Sequence, residues 1–140
     1  MRVPPYILYA LLAAFFASLV PIFGKLGLRN VDSTVATTVR AFIMFVFLLL
    51  VALWQGRTDV SSIGGRALLF ITLSGLAGAL SWLFYFMAVK GGRVQAVVAI
   101  DKTSVALAIV LSWLVLREGM NLKTAVGAVL IVVGAILVSL

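Results

Sequence analysis

Long apolar runs separated by short polar segments dominate the hydropathy pattern of this chain. A helix that crosses the hydrocarbon core of a bilayer needs about 20 predominantly apolar residues. Five runs reach that length, and they predict membrane-spanning helices over residues 6–28, 34–54, 66–89, 94–116 and 122–140. Because the segments between them are short, we expect a single all-α domain over residues 1–140, a bundle of five transmembrane helices.

The short segments between the runs carry the residues that usually begin and end helices. Asp32 or Ser33 is expected to cap the second helix, and Asn121 to begin the fifth. The glycines Gly91–Gly92 are expected to end the third helix, and Gly119 to end the fourth. The first helix follows the two prolines Pro4–Pro5.

Composition supports a membrane protein and removes several classes of function. Of the 140 residues, 64% are hydrophobic and 11% are charged, whereas soluble domains carry roughly 45–50% apolar and about 25% charged residues. Cysteine and histidine are absent, and the four acidic residues lie apart in the sequence. We therefore predict no metal site within one chain, no cofactor and no enzymatic activity.

The net charge of +7 indicates membrane anchoring rather than nucleic-acid binding, because nine of the 11 basic residues stand singly at the ends of the apolar runs. With five spans, the amino-terminal side holds Arg2, Arg57, Arg66, Arg117 and Lys123, and the opposite side holds Lys25, Arg29, Lys90 and Arg93. Loop Lys and Arg residues normally decide the orientation of a membrane protein. This near balance favours insertion in both orientations, although the context of the first helix could also set a single one.

Three ionisable residues, Arg40, Asp101 and Lys102, fall inside the apolar runs. Each costs about 2.5–3.5 kcal/mol near the bilayer centre on insertion scales, so each needs a partner or water. At a rise of about 1.5 Å per residue, Arg40 and Asp101 lie about 6 Å from the midplane on the same side. Trp82 and Tyr85, late in the third helix, approach from that side, and we expect these residues to form one cluster.

Two interpretations of this cluster follow from the residue types. In the functional interpretation, Asp101 lines a polar cavity, where it binds a cation or exchanges a proton. In the structural interpretation, Asp101 forms an ion pair with Arg40 or Lys102 that fastens helices together. Arg40 and Lys102 can also extend towards the headgroups, and adjacent side chains diverge by about 100° on a helix.

The third and first helices each carry a further feature that has both a functional and a structural interpretation. Ser81, Trp82 and Tyr85 belong to a stripe of small and aromatic residues on one face of the third helix, which suits either a ligand-binding wall or helix packing. Pro21 removes a backbone hydrogen bond from the first helix and is expected to kink it. That kink suits a moving gate or a bent wall.

The sequence from Ser81 to Val138 resembles the EamA domain of the drug/metabolite transporter superfamily. The resemblance rests on the aromatic end of the third helix, on the fourth-helix ending LREG at 116–119, and on Gly127 and Gly134 in the last helix. It implies a five-helix repeat. Most members of this superfamily fuse two such repeats in inverted orientation around a central cavity that carries small metabolites.

One repeat on its own implies that two copies oppose each other in the membrane, as an antiparallel homodimer. The resemblance thus implies a secondary transporter of small metabolites or drugs in the plasma membrane of a prokaryotic cell. Asp101, Lys102 and Ser104, in a charged segment that departs from many two-repeat relatives, would contact the substrate or carry a coupling proton. The alternative is a non-transporting scaffold or subunit of a heteromeric membrane complex.

Overall fold

The computed structural model describes residues 4–140, so Arg2, counted above among the flanking charges, lies outside the described residues. The described residues are 84% helical and contain no strand, which confirms the all-α class. The α-helices are α1 (Pro5–Gly27), α2 (Ser33–Trp54), α3 (Gly65–Gly91), α4 (Val94–Asp101), α5 (Thr103–Leu111) and α6 (Leu122–Ser139). A 3₁₀ turn covers Val60–Ser62, and a π-helical turn covers Ser112–Leu116.

Five helical segments of the described chain are long and apolar enough to cross a membrane, which confirms the number of predicted spans. They are Pro5–Gly27, Ser33–Trp54, Gly65–Gly91, Val94–Leu116 and Leu122–Ser139. The fourth span consists of α4, α5 and the π-helical turn. Each span agrees with its predicted run to within two residues at either end, because hydrophobic length alone sets these limits.

The chain divides into two compact units. The first unit contains α1 as far as Lys25 and the chain from Gly91 to Leu140. Within it, α6 packs against both α4 and α5. Lys25 Nζ donates a 3.0 Å hydrogen bond to the carbonyl of Gly92, and Arg93 donates one of 3.1 Å to the carbonyl of Ser139. A cation beside the last carbonyls of a helix is favourable because the helix dipole is negative there.

The second unit extends from Leu26 to Lys90 and contains α2 and most of α3. Asp32, rather than Ser33, caps α2, since its carboxylate accepts hydrogen bonds from the backbone N–H groups of Thr34 (2.8 Å) and Val35 (3.2 Å). These bonds favour the ionised carboxylate and lower the pKa of Asp32. At the other end of the unit, α3 continues into Gly91, as predicted.

The fourth span is interrupted, although its sequence predicted one continuous helix. At Lys102 the backbone N–H is shared between the carbonyls of Val98 (3.2 Å) and Ala99 (3.1 Å), and the Lys102 carbonyl accepts from Val105 N–H at 3.1 Å. This tight turn separates α4 from α5. The Thr103 hydroxyl donates to the Ile100 carbonyl at 2.7 Å, so a side chain satisfies a backbone group beside the break.

The fourth span ends at Leu116, as predicted, but not through the expected glycine. The last turn is π-helical, and Arg117, rather than Gly119, adopts the left-handed conformation, with φ of 56°. The Arg117 N–H donates to the Ser112 carbonyl, five residues back. The expectation that Gly119 ends this helix was therefore wrong, because the chain has already turned two residues earlier. Asn121 caps α6 as predicted and accepts a 2.8 Å hydrogen bond from Thr124 N–H.

Candidate functional site

Asp101 and Lys102 form an ion pair at the break in the fourth span. Lys102 Nζ lies 3.1 Å from Asp101 Oδ2. Side chains of neighbouring residues diverge on a regular helix, but here α4 ends at Asp101 and α5 begins at Thr103. The Asp101 side chain is 33% exposed and that of Lys102 is 56% exposed. The pair is thus half-buried within its unit, and one side of it is open to a ligand, a partner or lipid.

The Asp101–Lys102 pair lies deep within the fourth span. Asp101 stands four residues before the middle of the span Val94–Leu116, which places it about 6 Å from the midplane. Irregular backbone at that depth is tolerated where it is covered by protein or lines a cavity. Ser104 is exposed in the first turn of α5, just after the break.

Arg40, the ionisable residue inside the second span, lies over an aromatic ring. Its guanidinium carbon is 3.6 Å from the centroid of the Trp82 ring and 5.4 Å from that of Phe86. A guanidinium stacked on an indole face is attracted by the negative π surface and loses little when water is removed. The interaction stabilises a charge inside the membrane without a carboxylate.

The aromatic residues around Arg40 support one another. Trp82 and Tyr85 meet edge to face, with centroids 5.4 Å apart, and Phe86 packs against both rings at 5.9 and 6.0 Å. Phe86 is only 5% exposed. The sequence analysis did not single out Phe86, although its position four residues after Trp82 places it on the same helix face.

This arrangement leaves polar atoms of Arg40 available. Within residues 4–140 its guanidinium stacks on Trp82 through its face and forms no hydrogen bond or ion pair. The in-plane N–H groups can therefore bind an anionic or polar group. Ser81 is exposed beside Trp82 on α3. Among the described residues, no three Asp, Glu, His or Cys side chains lie close enough to hold a metal ion.

The predicted site residues fall into two sets, one in each compact unit. Asp101, Lys102, Ser104 and the predicted kink residue Pro21 belong to the first unit, and Arg40, Ser81, Trp82 and Tyr85 to the second. Each set is assembled within its own unit, and the meeting of the two sets stays a prediction. Pro21 is buried inside α1, which continues to Gly27, and its role as a gate stays a prediction too.

Comparison with known proteins places the chain among transporters. The sequence model of the EamA-like transporter family matches residues 4–140. A protein from a Sinorhizobium species, described as an uncharacterized transporter in cobO 3'region, is 36% identical over 132 residues, and the match covers 94% of each chain. No solved structure matches the chain.

Proposed function

The chain belongs to the EamA-like transporter family and is a multi-pass membrane transporter, and from this premise we propose that it is a secondary transporter of small metabolites or drugs that works by alternating access. The proposed localisation of this transporter is the plasma membrane of a prokaryotic cell. The observation that carries the proposal is the Asp101–Lys102 pair at the break in the fourth span. A charged pair at a helix break near the midplane combines the two features that substrate sites of secondary transporters share.

The proposed coupling follows from the charge of this pair. With both residues ionised, the pair is neutral and Lys102 satisfies the Asp101 carboxylate. A proton or a cationic substrate group can take the place of Lys102 on that carboxylate, but both cannot do so at once. Mutually exclusive occupancy of one carboxylate by proton and substrate is the elementary requirement for exchange transport. Ser104 would add a hydroxyl for substrate binding from the next turn.

The second part of the proposal is an antiparallel homodimer. Five spans place the two ends of one repeat on opposite sides of the membrane. A second copy inserted upside down would recreate the inverted pair of repeats on which alternating access depends. The near balance of flanking Lys and Arg residues supports insertion in both orientations. Each copy would bring its own Asp101 to the pathway, one on either side of the midplane.

The experiment uses the purified protein in proteoliposomes that enclose a pH-sensitive dye. Cationic and zwitterionic metabolites are added singly outside the vesicles, and a substrate is recognised by a proton flux that protein-free vesicles do not show. We expect Asp101→Asn to abolish this flux, because the amide cannot exchange a proton. Asp59→Asn is the matched control, since Asp59 lies in the loop before α3 and outside the spans.

Two results would contradict the proposal. Substrate-driven proton flux by a folded Asp101→Asn variant that equals the wild-type flux removes Asp101 from coupling. A wild-type protein that gives no flux with any metabolite, while occupying a single orientation, favours a non-transporting scaffold or subunit of a membrane complex. In that case the Asp101–Lys102 pair only joins α4 to α5.

A further inference from the structure

A pocket lies along the second half of the fourth span, from Val105 to the segment that follows Leu116. It has a volume of about 320 Å³ and is formed within the first unit by α5, the π-helical turn and the chain leading into α6. Val105, Ala108 and Ile109 supply apolar walls, and Trp113 supplies an aromatic one. Pockets for small ligands begin at about 300 Å³ and combine apolar walls with a few polar groups. This pocket fits that description at the small end of the range.

The polar side chains of the pocket are Ser112, Glu118 and Thr124, and the Thr124 hydroxyl already donates a hydrogen bond to Asn121 Oδ1. The Ser112 hydroxyl donates a hydrogen bond to Glu118 Oε2. This contact depends on the π-helical turn, because the left-handed Arg117 folds the chain back and the Ser112 carbonyl accepts its N–H. The backbone therefore positions the carboxylate over the pocket. π-Helical turns occur often at functional sites for this reason.

The Glu118 carboxylate lacks a positive partner within the described part of the chain. Glu118 forms no ion pair with any of the described residues. A carboxylate beside apolar walls, held by a single neutral hydroxyl, attracts a cation that also has apolar surface. Trp113, which is 50% exposed, offers an aromatic face to the same cation.

From this geometry we infer that the pocket binds a small water-soluble organic ammonium ion, with its charge on Glu118 and its alkyl groups against Trp113 and the apolar walls. The pocket extends to where the fourth span ends, beside the polar segment 117–121, so a solute can enter it from water. A metal cation is a poor fit, because Ser112 and Glu118 offer few oxygen ligands and the walls are apolar. This site is separate from the proposed transport site, and its test does not rest on transport.

The test is a fluorescence titration of the full chain in nanodiscs of phosphatidylglycerol, with choline as the probe. We expect a saturable change in tryptophan emission that disappears in Trp113→Phe and persists in Trp54→Phe. The uncharged isostere 3,3-dimethylbutan-1-ol, which has the shape of choline without its charge, should bind about tenfold more weakly or not at all. Glu118→Gln should also weaken choline binding about tenfold, since the amide oxygen still accepts from Ser112 but carries no charge.

A second variant protects the test against effects on folding. Ala108→Leu adds bulk to an apolar wall of the pocket and leaves the Glu118 residue itself in place, and it should block choline binding as well. Equal binding of choline and its isostere, or unchanged choline binding by folded Glu118→Gln, would overturn the proposal. Repetition in nanodiscs that contain phosphatidylethanolamine tests the source of the cation. Loss of choline binding there would assign the pocket to a lipid amine and overturn the assignment to a water-soluble ligand.

Discussion

Arg40 and Trp82 are stacked, with the guanidinium carbon 3.6 Å from the centroid of the indole ring. Arg40 is the eighth residue of the span Ser33–Trp54. An unpaired charge at that depth in the membrane would be costly. A desolvated cation–π contact contributes about 2 kcal/mol, which offsets much of that cost on the translocon scale. The stack explains how the second span carries an arginine that forms no ion pair with a described carboxylate.

The first prediction concerns this stack. Trp82→Leu should lower the free energy of unfolding by about 2 kcal/mol, because the leucine offers Arg40 no π surface. Trp82→Phe should lower it by less, since a smaller ring still remains. Thermal melting in detergent micelles measures both effects. Trp54→Leu is the matched control, because Trp54 is 86% exposed and its loss should leave the melting temperature unchanged. Equal losses at positions 54 and 82 would contradict the stacking argument.

The second prediction concerns the Asp101–Lys102 pair. Asp101→Asn leaves a lone ammonium near the membrane midplane, and Lys102→Met leaves a lone carboxylate, so each variant should melt at a lower temperature than the wild type. The double variant should recover part of the loss, with a coupling energy of about 1 kcal/mol. Melting curves of the four proteins form a complete double-mutant cycle. Additive losses would show that the two side chains do not interact, despite the 3.1 Å distance between them.

The spans were predictable because hydrophobic length alone decides them, and the caps at Asp32 and Asn121 because few residue types accept hydrogen bonds from a helix start. The break at Lys102 was not predictable from the sequence. Breaks are usually signalled by Pro or Gly, and neither occurs between Val94 and Leu116. Arg117 was missed for a related reason. Its left-handed conformation is rare for a residue with a Cβ, so Gly119 was the better expectation from sequence.

The site was predictable in part. Arg40, Asp101 and Lys102 were identified because a charge inside an apolar run is costly and therefore informative. Phe86 was missed, since one more phenylalanine in an apolar helix gives no signal of its own. The contact of Ser112 with Glu118 was also missed, because a regular helix would not bring residues six apart together, and only the π-helical turn does so.

The third prediction concerns pH. The N–H groups of Val35 and Thr34 hold the pKa of Asp32 below its ordinary value of 3.8. The stabilisation from its ionised carboxylate is therefore complete above that value and is lost as pH falls through the lower pKa of the folded state. Between about pH 5 and about pH 2, the melting temperature of Asp32→Asn should fall less than that of the wild type.

Asp59, a second loop carboxylate, allows the same pH experiment to be repeated at an independent site. The pKa of Asp59 is lowered as well, chiefly by a hydrogen bond from the Ser61 hydroxyl. Asp59→Asn should therefore remove a separate part of the acid sensitivity, and the double variant should be flatter than either single one. An acid transition identical in all four proteins would show that neither carboxylate contributes.

Two serines allow the orientation of the chain to be measured. Ser62 ends the 3₁₀ turn between the second and third spans, and Ser139 ends α6. With five spans, these positions face opposite sides of the membrane. The chain has no cysteine, so Ser62→Cys or Ser139→Cys would introduce a single thiol into each variant. A membrane-impermeant maleimide then reports which side of the membrane that thiol faces.

The last prediction is that both thiols are labelled in part in intact cells and completely after permeabilisation. If copies insert in both orientations, each position is outside in one set of molecules and inside in the other. Full labelling of one position and none of the other would show a single orientation. The antiparallel homodimer would then be excluded, and a transporter of this family would need an oppositely oriented partner chain. Because each variant serves as the internal control for the other, poor reactivity of one thiol cannot imitate dual insertion.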